Sequence, residues 1–183
     1  VYAFNSVGDS DFTSELSVTT EQSAVTGVTV TPTSGLETSE SGGEATFTVV
    51  LESQPGGNVT FALTSNDESE GVVSPTNLVF TPTSWSSEQT VTVTGVDDQE
   101  QDGDIDYTVS ILAASSTDTN YNGYDPDDVL LTNTDDDTAG ITVTYSGDLL
   151  TTEGGATASF DVALDSRPTA DVTVPIAVSD EGE

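Results

Sequence analysis

Apolar and polar residues alternate along this chain with a period of two over several short stretches. No stretch shows the spacing of an amphipathic helix. In residues 43–51, Ala45, Phe47, Val49 and Leu51 fall on one face, with Glu44, Thr46 and Thr48 on the other. The break at 54–58 joins Pro55, which presets φ, to Gly56 and Gly57, which accept positive φ, and so predicts a turn. Beyond it Val59, Phe61 and Leu63 share a face, and Leu78 and Phe80 form a short strand ended by Pro82. Val91 and Val93 alternate with Thr90, Thr92 and Thr94. Tyr107, Val109 and Ile111 share a face, as do Val129 and Leu131. About seven short strands in roughly 110 residues predict an all-β, immunoglobulin-like sandwich of two antiparallel sheets, with these residues as its core.

The pattern then restarts. Residues 27–70 align with 140–183 without a gap, and 19 of the 44 positions are identical, among them Glu40/Glu153, Phe47/Phe160 and Leu51/Leu164. An offset of 113 residues is a whole domain rather than a solenoid unit. One complete sandwich is therefore expected over 23–138, with the first strands of a second over 139–183, in tandem. Residues 1–22 differ from the repeat. They read as a strand, a glycine-centred turn and a strand, and resemble the end of a fibronectin type III domain through Val1, Ala3, Asn5, Gly8, Ser10 or Ser14, and Thr19. Neither end reads as a whole domain, which suggests an excerpt of a longer polypeptide or strands exchanged between neighbouring molecules.

Composition narrows the chemistry. Thr occurs 31 times and Val 22 times, and both favour strands over the disorder that high charge otherwise signals. The 33 acidic residues face one basic residue, Arg167, for a formal charge of -32, and there is no Cys and no His. Disulfides, thiolate nucleophiles, nitrogen- or sulfur-ligated zinc and a Ser-His-Asp triad are thereby excluded. Such a polyanion repels nucleic acid and anionic lipid, and no apolar run approaches the length needed to cross a bilayer, so neither nucleic-acid binding nor direct membrane insertion is expected.

The acids are unevenly spread. Of 20 Asp, five lie in 97–106 (Asp97, Asp98, Asp102, Asp104, Asp106) and six in 125–137 (Asp125, Asp127, Asp128, Asp135, Asp136, Asp137). In a sandwich these two loops can share a pole, and Glu40 can join them. Two unit charges about 4 Å apart repel by roughly 4 kcal/mol at an effective dielectric near 20. A single Arg cannot offset a cluster of this size. A hard cation can, and an all-oxygen donor set selects Ca²⁺, which takes about 6–8 oxygens, over Mg²⁺. The competing reading is a solvated acidic surface that maintains solubility. Asp98, Glu100, Asp102 and Gly103 follow the opening of an EF-hand loop, but Val109 stands where the bidentate Glu belongs and the flanks are strands, so an EF-hand is rejected.

The segment from Gly95 to Ile111, followed by the run Asn133–Val143 with its three consecutive Asp, resembles a Calx-beta repeat, the Ca²⁺-binding sandwich of sodium–calcium exchangers and of large bacterial surface proteins. The resemblance implies Ca²⁺ at one pole, held by Glu40, Asp97, Asp98, Asp102, Asp135, Asp136 and Asp137. The family's Ser-Asp-Tyr segment has no counterpart in 66–77. A second later acid of the loop falls on Ile105, with Asp104 beside it, which implies fewer ions than a four-ion cluster.

Three functions compete. A structural repeat, stiffened by Ca²⁺ at a joint only two residues long (Thr138, Ala139), makes a spacer or shaft of an extracellular, cell-surface adhesin or fibre, with neighbouring repeats as its first partners. An adhesive or carbohydrate-binding accessory module for surface receptors or glycans needs exposed aromatics, and Trp85, Tyr121 and Tyr124 are the candidates. A carboxylate-pair hydrolase needs two acids in a cleft, which nothing in the sequence indicates, so no enzyme is expected. Asn58-Val59-Thr60 is a glycosylation sequon, and marks a surface turn.

Overall fold

The computed structural model describes residues 25–179; the fibronectin-like reading of 1–22 lies outside them. The first unit carries β1 (Val28–Thr31), β2 (Leu36–Ser39), β3 (Glu44–Leu51), β4 (Val59–Ser65), β5 (Gly71–Ser74), β6 (Asn77–Phe80), β7 (Gln89–Gly95), β8 (Ile105–Ile111), β9 (Ser115–Ser116) and β10 (Val129–Thr134). Two sheets form, ordered β1-β3-β7-β5 and β2-β10-β8-β4-β6, with β9 against β4. All pairs are antiparallel except β2 with β10. The fold is an all-β sandwich, as the alternation predicts.

The inward residues named from the sequence are the core: Phe47, Val49, Leu51, Val59, Phe61, Leu63, Leu78, Phe80, Val91, Val93, Tyr107, Val109, Ile111, Val129 and Leu131 are all buried. Phe61 and Phe80 meet edge to face, with ring centroids 6.2 Å apart. The strand count exceeds the expected one because β2, β5 and β9 span only two to four residues. Strands that short offer too few alternating positions to be told from loops.

Tyr121 corrects another expectation. It is no loop-exposed aromatic: its ring is buried, and its hydroxyl donates to the Ser53 carbonyl at 2.7 Å. Trp85 and Tyr124 are half-buried and pack on the core. The exposed aromatic platform that glycan binding needs is thus missing at these three positions.

The internal repeat is visible in the pairing. β11 (Ile141–Thr144) pairs β12 (Asp161–Leu164) antiparallel, with Ile141 opposite Leu164 and Val143 opposite Val162. This is the β1–β3 register, where Val28 opposes Leu51 and Val30 opposes Val49, displaced by 113 residues. The hydrogen bond from Glu52 N–H to the Gly27 carbonyl, 2.9 Å, recurs as Asp165 N–H to the Gly140 carbonyl, 3.0 Å.

Candidate metal centre

Strand register decides which acids meet. Gly71 opposes Gly95 across β5 and β7, Asn133 opposes Ile105 across β10 and β8, and Thr134 lies beside Ser39 across β10 and β2. The ends of β2, β7 and β10 and the starts of β3, β5 and β8 therefore share one pole. Glu40 follows β2, Asp97 and Asp98 follow β7, Asp102 and Asp104 precede β8, and Asp135–Asp137 follow β10.

Glu40, Asp135 and Asp137 form the centre. One carboxylate oxygen from each lies within 4.8 Å of the others. Glu40 is only 3% exposed. Asp137 Oδ2 is buried and has no hydrogen-bond partner among the described residues. A buried, unpartnered carboxylate oxygen is costly unless something positive reaches it. Arg167, the one basic side chain, is 3.4 Å from Glu100 instead, through Nε.

The surrounding acids hold the loops in place. Asp135 Oδ2 accepts from Gly103 N–H at 2.8 Å, and Asp135 Oδ1 accepts from Asp137 N–H at 2.8 Å. Asp104 Oδ1 accepts from Asp135 N–H at 3.2 Å, so Asp104 orients the run after β10. Asp98 Oδ1 accepts from Glu100 N–H at 2.7 Å. Gly103 has φ of 84°, in the left-handed region that a side chain resists. Asp97, Asp98, Asp102, Asp104 and Asp136 are exposed rather than locked in the trio. Asp136 reaches Glu40 through its backbone, whose N–H donates to Glu40 Oε2 at 3.4 Å.

The electrostatics agree with the geometry. Burial raises the Glu40 carboxyl to about 7 from its ordinary 4.5; the Asp136 N–H pulls it down, and Asp135, Asp98 and Asp102 push it up. Asp137 is raised too, first by desolvation and then by Asp135, Asp136, Asp97 and Asp98. Asp97, Asp98 and Asp102 are thus close enough to be felt at the centre.

A pH dependence follows. The folded metal-free protein holds a proton on Glu40 that the unfolded chain releases near 4.5. Its stability therefore falls as pH rises from about 4.5 through about 7. Melting scans in EDTA should show a lower transition at pH 8 than at pH 5. In excess Ca²⁺ that loss should shrink or reverse, because the ion takes the proton's place.

Two points depart from the sequence reading. Asp125, Asp127 and Asp128 do not join the pole. They precede β10, whose six residues span roughly 20 Å at about 3.3 Å each, and so lie at its other end. Asp128 instead accepts from Ile111 N–H at 3.0 Å and from the Ser110 hydroxyl at 3.1 Å, capping the far end of β8. The second concerns Glu70, which the sequence did not single out. It is buried at the start of β5, its Oε2 accepts from Asn133 Nδ2 at 3.2 Å, and its carboxyl is raised by desolvation and by Asp102, Asp67 and Asp98. Only the β5–β7 register separates it from its neighbours Asp67 and Glu68.

The donor set is oxygen throughout and fits a hard cation. Glu40, Asp135 and Asp137 would hold it, with Asp97, Asp98 and Asp102 at hand to raise the oxygen count. No protein-family model and no curated protein matches the chain.

Solved structures do. The chain is similar in fold to known β-sandwiches. The calcium binding domain CBD12 of CALX1.1 is 18% identical, with a TM-score of 0.48, over 66% of this chain and 49% of that one. The apo-form Calx CBD1 domain is 18% identical, with a TM-score of 0.47, over 60% of this chain and 96% of that one. The periplasmic chaperone SfaE is 13% identical, with a TM-score of 0.46, over 60% of this chain and 58% of that one. These likenesses assign no residue of this chain a role.

Proposed function

We propose that the sandwich is a Ca²⁺-binding structural repeat whose metal pole lies at the joint with the next repeat and stiffens it. The observation that carries the reading is the trio of Glu40, Asp135 and Asp137, gathered around a buried, unpartnered oxygen with no cationic side chain in it. The joint supports the mechanical part. Thr138 and Ala139 alone separate Asp137 from Gly140. Ala139 N–H donates to Gln101 Oε1 at 2.8 Å, and Arg167 N–H donates to the Gln99 carbonyl at 2.5 Å. The loop that carries Asp97, Asp98 and Asp102 is therefore also the loop on which the next repeat rests. An ion that fixes this loop fixes the seat of the neighbour.

Repeats joined in this way suit the spacer or shaft of an extracellular surface adhesin or fibre, where millimolar Ca²⁺ can fill modest-affinity sites. Neighbouring repeats are the partners proposed, and catalysis is not. X-ray scattering of the full chain tests the mechanics. The expected result is a longer, better-defined maximum dimension in Ca²⁺ than in EDTA. Superimposable profiles would remove the stiffening role and leave only a bound ion.

A further inference from the structure

Beneath the metal pole lies a buried polar chain that the carboxylate trio does not explain. Along β10 the inward positions are Val129, Leu131 and Asn133, so an amide stands where the alternation asks for a hydrocarbon. Burying an amide is tolerable only when its groups are bonded. Asn133 Oδ1 accepts from the Thr38 hydroxyl at 2.9 Å, and Nδ2 donates to the Val96 carbonyl at 3.1 Å and to Glu70 Oε2 at 3.2 Å. The orientation is forced. The Val96 carbonyl can only accept, so the nitrogen end must face it. Thr38 spends its one hydrogen on Asn133, so Tyr107 is the donor in the 2.9 Å contact between the two hydroxyls. A Cβ on Gly95 would clash first with the Ser39 backbone carbonyl and would also come within 2.6 Å of Asn133 Oδ1, so β7 carries no side chain where it passes the end of β2 and the amide.

We propose that Asn133 is a positioning residue of the metal pole: from inside the sandwich it fixes the Glu70 carboxylate beside the end of β7, where the Val96 N–H donates to the Glu70 carbonyl at 3.0 Å, as a further acid available to the ion. The proposal rests on the Ca²⁺ reading above. Its physical content is preorganisation. A carboxylate already held by a fixed amide loses little freedom when the ion arrives, and such outer partners commonly change metal affinity about 10- to 100-fold. Thr38 and Tyr107 act one and two bonds further back.

Calorimetric titration of the full chain with Ca²⁺ tests this, using the parent, Glu70→Gln, Asn133→Leu, the double variant and Thr38→Val, each with a melting scan in EDTA. Asn133→Leu and Glu70→Gln should each weaken Ca²⁺ binding about tenfold. The double variant should be no weaker than the weaker single one, because Asn133 acts through Glu70. Thr38→Val should give a smaller loss, about threefold, since the amide stays but is less firmly held. Variants that melt lower in EDTA yet bind Ca²⁺ like the parent would overturn the proposal, leaving Asn133 a packing residue. Losses that add in the double variant would overturn it as well. If Asn133→Leu does not fold, Thr38→Val decides, and unchanged affinity there is the overturning result. A parent that binds no Ca²⁺ removes the underlying reading, an outcome distinct from a parent that binds and variants that match it.

Discussion

Millimolar Ca²⁺ should raise the melting temperature of this protein by about 10 °C. A ligand held only by the folded state adds roughly 2.7 kcal/mol when present at about 100 times its Kd. For a sandwich of this size each kcal/mol moves the midpoint by a few degrees. The ion also removes a penalty, since Glu40, Asp135 and Asp137 otherwise face one another without a counter-charge. Two controls separate this from general screening of an acidic surface. NaCl at matched ionic strength should move the midpoint far less, because screening acts weakly on buried groups. Mg²⁺ should do less than Ca²⁺, because its smaller octahedral shell fits a cluster of flexible carboxylates poorly. A midpoint unmoved by Ca²⁺, or moved equally by NaCl, would leave a solvated acidic surface as the whole explanation.

Glu40→Gln should act with opposite sign in the two states. The carboxyl is nearly fully buried, and its affinity for a proton is raised by that burial and by Asp135, Asp98 and Asp102. An amide of the same shape removes the buried charge, so at pH 8 in EDTA the variant should melt above the parent. It also removes a ligand from the trio, so the Ca²⁺-dependent rise should largely vanish. The two melting curves should therefore cross: variant higher without the ion, parent higher with it. A side chain that mattered only for packing would lower both curves together. A variant lower than the parent in EDTA would show that Glu40 is not under electrostatic strain.

The candidate centre was partly legible in the chain. Alternation placed the core because each inward apolar residue in β3, β4, β7, β8 and β10 has its partners across the sandwich. Glu40 and Asp135–Asp137 could be singled out because they sit immediately beyond strand ends, and a strand end has a definite pole. Asp125, Asp127 and Asp128 went astray for the converse reason: they are close to Asp135 in sequence, yet a full strand stands between. Glu70 was hidden because β5 is four residues long and shows no pattern of its own; its place depends on Gly71 opposing Gly95. Asn133 was equally hidden, since a single polar residue at the end of a strand resembles the beginning of a loop. Tyr121 looked polar from its neighbours Asn120 and Asn122, but its hydroxyl finds Ser53 across 68 residues of chain. Each miss concerns a side chain whose partner is remote in sequence, which periodicity does not report.

The central claim is that Glu40, Asp135 and Asp137 share a cation. The most direct measurement is a crystal structure grown in Ca²⁺, with anomalous scattering to identify the ion. The account predicts an anomalous peak about 2.3–2.6 Å from a carboxylate oxygen of each of the three residues, with Asp97, Asp98 or Asp102 drawn in to fill the shell. A map with no ion there, and Asp137 Oδ2 instead protonated or bonded to a neighbouring group, would contradict it.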